Sequence, residues 1–159
     1  MTLILGTEYC KVDSNGRFKF PIALKKQLET EDCTIAIRQC PVAKCLEIWT
    51  AESFKKEAEE LRHRLNPYSI KDNQMYLKLT QVNLADLDSN DRLMVPAERR
   101  WILGGSKQIV LHGVGNCIQL WEQSEYDKLM GDGFDENYAE VVSKRLGGND
   151  GVPCSGDAE

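Results

Sequence analysis

Two stretches decide how this chain folds: VDSNGRFKFP, Val12–Pro21, and LDSNDRLMVP, Leu87–Pro96. They lie 75 positions apart, and each keeps an Asp and an Arg four residues apart, Asp13 with Arg17 and Asp88 with Arg92. Asp-Ser-Asn favours a tight turn, because Asp and Asn side chains accept hydrogen bonds from backbone amides two or more residues on. Charged and apolar residues then alternate (Arg17, Phe18, Lys19, Phe20), the signature of a half-buried strand. Pro21 and Pro96 end each strand, and their fixed φ suits the first turn of a short helix.

The duplication extends beyond ten residues. TIAIR (Thr34–Arg38) matches QIVLH (Gln108–His112), and CLEIW (Cys45–Trp49) matches CIQLW (Cys117–Trp121). The offset drifts from 75 to 72, a difference that loop lengths absorb. Each unit predicts the same order: strand, turn, strand, short helix, hairpin, helix. Two copies are too few for a solenoid and predict a pseudo-two-fold fold in which each half completes the other. The expected boundaries are residues 6–66 for the first repeat, 67–80 for a connector with no assigned element and 81–130 for the second repeat. The first closing helix starts at Thr50 as N-cap, with Ser53 as the alternative. Phe134, Tyr138, Val141 or Val142, and Leu146 recur at helical spacing and predict a C-terminal helix over 131–147. The polar, Gly-rich residues 148–159 are expected to be disordered.

Net charge is −5, but its distribution is uneven. Residues 11–28 carry Lys11, Arg17, Lys19, Lys25 and Lys26 against Asp13 alone, a local charge of +4, while 131–159 carry −5. Residues 88–100 balance to zero. No apolar run reaches the roughly 20 residues of a membrane helix, and MTLILG lacks a basic leader, so a cytoplasmic protein is expected. The six cysteines form no CxxC pair and read as free thiols. A zinc site from Cys33, Cys40, Cys45 and His63 or His112 matches no common ligand spacing. There is no P-loop or dinucleotide fingerprint, and GVGNC joins two strands as a turn. No catalytic residue, metal, cofactor, small-molecule substrate or membrane partner is expected.

For Asp13 and Arg17 two readings stand side by side. In one, Asp13 opens the turn and Arg17 pairs with it across the hairpin. In the other, Asn15, Arg17 and Lys19 project into DNA, where an Arg fork grips guanine or phosphate. Lys25, Lys26, Arg99 and Arg100, after the prolines, read as a solvated helix face or as phosphate contacts. Trp49 and Trp121 end apolar strands and read as core or subunit-interface packing rather than as base-stacking residues.

Taken together, DSNGRFKFPIAL with CLEIWTAESF, and DSNDRLMVPAER with IVLHGVG and IQLWEQSEY, resemble the MraZ family of bacterial transcriptional regulators over about residues 6–146. The resemblance implies a mainly β fold with short helices (α+β): a pseudo-two-fold, double-split, swapped-hairpin β-barrel of the AbrB type, plus the C-terminal helix. It also implies a repressor that forms a ring-shaped homo-oligomer on repeated boxes upstream of the division and cell-wall gene cluster. Its partners would be double-stranded DNA and copies of itself, and its location the nucleoid. DNA contact would fall to Lys11, Asn15, Arg17 and Lys19 from the first copy and to Asn90 and Arg92 from the second. Asp13, Gly16 and Asp88 would shape the turns. Asp91 departs from the family's Gly, and its carboxylate is expected beside Arg92. The alternative is an AbrB-like assembly or antitoxin-type module that binds a protein, with DNA binding weak or lost.

Overall fold

The computed structural model describes residues 3–28, 34–131, 133 and 135–147. The chain divides into Met1–Tyr126 and Asp127–Glu159. The first unit begins with β1 (Ile4–Lys11), β2 (Arg17–Lys19), α1 (Ile22–Leu28), β3 (Thr34–Gln39), β4 (Leu46–Thr50) and α2 (Ala51–Arg64). After α3 (Ile70–Leu79) the order returns as β5 (Val82–Asp86), β6 (Arg92–Met94), a 3₁₀ segment (Ala97–Leu103), β7 (Gln108–Gly115) and β8 (Ile118–Glu122). A further helix, α4 (Gln123–Met130), follows β8 directly.

The two repeats exchange strands. The six-stranded sheet has the order β1-β7-β8-β4-β3-β5, so β1 pairs with the second repeat's hairpin and β5 with the first repeat's. Swapping the repeats reverses this order and leaves it otherwise unchanged, which places a pseudo-two-fold between β4 and β8. The registers agree: Lys11 opposes Gln108 as Asp86 opposes Thr34. The remaining strands, β2 and β6, pair as an antiparallel ribbon with Arg17 opposite Met94, Phe18 opposite Leu93 and Lys19 opposite Arg92. This is the α+β, swapped-hairpin arrangement expected. Sheet and ribbon form separate ladders, and packing brings them together around one core. Phe18, Phe20, Leu93 and Val95 from the ribbon side bury against Ile35, Ile37, Ile48, Ile109, Leu111 and Ile118 from the sheet. Each such side chain contributes about 1.5–3 kcal/mol on leaving water, so the ribbon is anchored by its inner face.

Thr50 caps α2, its Oγ1 accepting from Ser53 N at 3.1 Å. Phe54 is the helix's buried residue and packs edge-to-face on Trp49 at 5.5 Å. Beneath them lies a buried ion pair. Glu47 Oε1 accepts from Arg38 Nε at 2.8 Å and from Trp49 Nε1 at 3.0 Å. Arg38 Nη1 also donates to Leu79 O at 3.0 Å, at the end of α3, where carbonyls lack helical partners. In the second repeat His112, Gln119, Trp121 and Tyr126 stand at the matching positions. There Trp121 Nε1 donates to Gln119 Oε1 at 3.0 Å, and His112 Nδ1 lies 2.9 Å from the Tyr126 hydroxyl.

The connector is helical where the sequence had suggested no element. Ser69 caps α3 by accepting from Asp72 N at 3.2 Å, and Arg62 stacks over Tyr76 at 4.8 Å. Cys40, Cys45 and Cys117 are buried and Cys10 is half-buried. Burial pushes the Cys10 thiol up to about 11 and the Cys117 thiol up to about 12. In the second unit α5 (Glu136–Leu146) starts later than expected, with Asp135 accepting from Asn137 N at 2.9 Å as its cap. Phe134, Cys33, Cys154 and the tail 148–159 lie outside the described residues. Among the described residues no helix is long and apolar enough to cross a membrane.

Candidate nucleic-acid interface

The two turns are built alike, bond for bond. Asp13 N donates to Arg17 O at 2.8 Å and Gly16 N to Asp13 O at 3.0 Å. Asp88 N and Asp91 N repeat this with Arg92 O and Asp88 O, both at 3.0 Å. Asp13 Oδ1 accepts from Asn15 N at 2.8 Å and Arg17 N at 2.9 Å. Asp88 Oδ1 does the same for Asn90 N and Arg92 N at 2.8 and 2.9 Å. The turn-closing residue takes a left-handed conformation in both, with φ 82° at Gly16 and 61° at Asp91. Glycine enters that region without penalty, and Asp tolerates it better than most residues.

Asp13 therefore works through backbone amides. Of the two contacts expected of Asp13, the bonds to backbone amides form, and the ion pairs among the described residues do not include Asp13 with Arg17. The Arg17 amide, then the Asn15 amide and the charges of Arg17 and Arg92, hold the Asp13 carboxyl below its ordinary value. For Asp88 the Arg92 amide leads, followed by the Asn90 amide and the charges of Arg92 and Arg17. Each carboxylate thus feels both arginines, because the ribbon sets the two turns side by side. Phe20 N donates to Asp91 O at 2.8 Å and Val95 N to Gly16 O at 2.7 Å, so each strand ends on the other repeat's turn.

With Phe18 and Leu93 turned into the core, the ribbon's outer face carries Arg17, Lys19, Arg92 and Met94. Lys19 stands directly opposite Arg92, and neither strand contains an acid. Like charges directly opposite one another destabilise a strand pair. Asn15 and Asn90 are exposed at the turn tips, and Lys11 is exposed where β1 ends.

The helix-borne cations divide three ways. Arg99 is half-buried and tied to the protein, with Nε donating to Asn83 Oδ1 at 3.2 Å and Nη1 to Gln39 Oε1 at 3.3 Å. Lys26 is exposed on α1. Lys25 and Arg100 each cross to the other repeat's turn. Lys25 Nζ donates to Asp91 Oδ1 at 2.7 Å, so the Asp91 carboxylate engages Lys25 rather than the Arg92 expected from its place in the chain. The Arg100 guanidinium lies over Gly16, where a Cβ would fall 2.6 Å from its Cζ. Sequence reasoning missed this crossing as well as the Arg38–Glu47 pair. The signal for the pair was present: one Arg and one Glu interrupting facing apolar strands.

A family profile described as "MraZ protein, putative antitoxin-like" matches twice, over residues 3–78 and 75–146. The chain is 30% identical over 153 residues to a protein of Christiangramia forsetii named transcriptional regulator MraZ, covering 94% of this chain and 97% of that one. A protein of the same name from Flavobacterium psychrophilum is 28% identical, over 92% of this chain and 94% of its own length. A third, from Mycoplasmoides gallisepticum, is 26% identical over 84% of this chain and 92% of its own.

Proposed function

The chain belongs to the MraZ family, and from that premise we propose that it is a transcriptional repressor that binds duplex DNA through the outer face of the β2–β6 ribbon. The observation that carries this is Lys19 opposite Arg92 with Arg17 beside them: three cations on one acid-free face, with the neighbouring carboxylates of Asp13 and Asp88 committed to amides. A polyanion turns that repulsion into attraction, because each neutralised phosphate releases counterions. Asn15 and Asn90 at the tips are placed to hydrogen-bond bases, and Lys11 to contact phosphate. One protomer offers a small basic surface. Several protomers on repeated boxes gain avidity through effective concentration, and a head-to-tail interface that closes makes a ring. The proposed targets are repeated boxes upstream of the division and cell-wall gene cluster, bound in the nucleoid of the cytoplasm.

The experiment is selection of bound duplexes from a random pool, followed by Arg17→Ala on the selected sequence and light scattering of the free protein. Enrichment of repeated boxes, lost with Arg17→Ala, supports the reading. A stable monomer with full DNA affinity overturns the ring. Absence of any enriched duplex overturns DNA binding and leaves a protein-binding module.

A further inference from the structure

We propose that Arg100, a residue of the second repeat, completes the phosphate-binding site of the first hairpin, and that Asp91 occupies the corresponding place on the second hairpin with a built-in carboxylate. This rests on the DNA-binding reading above and adds which cations act and why the two hairpins differ.

Lys25 and Arg100 are equivalent residues, each the fourth after its proline, and the 75-residue offset relates them as it relates Gly16 to Asp91. Because the ribbon joins the turns, each of these cations reaches the opposite repeat. At the first turn the residue beneath the cation is Gly16. No side chain intervenes, and the guanidinium lies on the backbone of the loop that presents Asn15 and Arg17. Its Nε is bonded to Val95 O at 2.9 Å, which fixes the plane of the group, and among the described residues its terminal nitrogens have no hydrogen-bond partner. A guanidinium held this way offers two donors to a phosphate that Arg17 also reaches.

The second turn has the same geometry with an anion already in it. The Asp91 carboxylate lies 2.7 Å from Lys25 Nζ, the distance of a charge-assisted hydrogen bond. In position and charge the carboxylate does for Lys25 what a phosphate oxygen would do for Arg100. The pair is only partly exposed, with 39% of the Lys25 side chain and 36% of the Asp91 side chain accessible. A phosphate approaching the second hairpin meets a neutral pair and is repelled by the carboxylate, so one strong and one weak anion site share the ribbon.

The test is fluorescence anisotropy with a duplex selected by the wild-type protein, titrated over salt, with melting temperatures as the folding control. Each lost phosphate contact flattens the log–log salt slope by about 0.9 per bound protomer. Arg100→Gln is expected to weaken binding and flatten the slope by that amount. Arg100→Lys is expected to restore most of the slope, which a purely structural role would not predict. Asp91→Asn is expected to tighten binding and steepen the slope, because it removes the carboxylate that repels the phosphate. Asn tolerates the left-handed turn as Asp does, so this variant keeps the fold. An unchanged slope with Arg100→Gln or with Asp91→Asn overturns the proposal while DNA binding through Arg17 stands. A wild-type protein that selects no duplex overturns both.

Discussion

Arg38 and Glu47 face each other across β3 and β4, nine residues apart in the chain, with Nη2 2.7 Å from Oε1 and both side chains buried. The pair also holds the Trp49 indole and the Leu79 carbonyl at the end of α3, so it joins three elements, β3, β4 and α3. Removing Glu47 leaves the buried Arg38 charge with only the more exposed Glu57 carboxylate, 3.5 Å from Nη2, so Glu47→Ala is expected to cost up to about 3–5 kcal/mol in urea unfolding. The second repeat shows a milder solution at the same place. Arg38→His and Glu47→Gln combined with Phe54→Tyr import the His112, Gln119 and Tyr126 set and are expected to cost less than Glu47→Ala alone. A triple variant no more stable than the single one would show that the second repeat's solution does not transfer.

The turn at Gly16 is sensitive to side-chain size for two reasons. Its φ of 82° strains any β-branched residue, at about 1–3 kcal/mol. The space above it belongs to Arg100. Gly16→Val is therefore expected to destabilise more than Asp13→Ala, which loses exposed amide bonds that water can replace. Thermal melts of the two variants check the order.

The turn carboxylates give the ribbon an acid limit. Asp13 and Asp88 sit below their ordinary 3.8 in the folded chain, because they accept amide hydrogen bonds as anions. A depressed folded pKa contributes stability that is fully present above the unfolded value and is lost as pH falls through the folded one. Neutral pH therefore leaves the turns intact, and they loosen only below about 3.8. The amide shifts of Asn15, Arg17, Asn90 and Arg92 are expected to titrate together with midpoints under that value. Midpoints at or above it would contradict the amide cradle.

Arg17 and Arg92 stand at equivalent positions but in different company. Lys19 lies beside both, but Arg100 lies over the turn that leads to Arg17, whereas the turn that leads to Arg92 carries the Lys25–Asp91 pair. Arg17→Ala is expected to weaken DNA binding and flatten the salt slope more than Arg92→Ala. Equal losses with unchanged melting temperatures would show that both hairpins read DNA alike.

What the sequence disclosed was what is local. Asp13, Asn15 and Gly16 build a turn from contacts within five residues, so the motif alone fixed its shape. The alternation around Phe18 and Leu93 assigned the inner face. The exchange of β1 and β5 came from the family resemblance as a swapped hairpin, and from the residues themselves only as the idea that each half completes the other, since apolar alternation does not say which strand pairs with which. Asp91 was assigned to Arg92 because they are adjacent in the chain, whereas the ribbon carries Lys25 there from 66 residues away. The helix α3 escaped notice because it buries no residue, leaving Ile70 and Leu77 exposed and no apolar stripe to detect.

The strand exchange also sets a clock on biosynthesis. Ile4 pairs opposite Gly115, more than a hundred residues later in the chain. At about 5–20 residues per second, a ribosome needs roughly 5–20 seconds to deliver β7 after β1 has emerged. Through that interval β1 has no strand to pair with, and β2 gains β6 only shortly before β7 emerges. The first repeat cannot finish folding as an independent N-terminal unit, and the nascent chain must either hold these strands loosely or be shielded until the second hairpin arrives. Ribosome-stalled chains ending before β7 are thus expected to leave the edge of β1 unpaired and open to other strands.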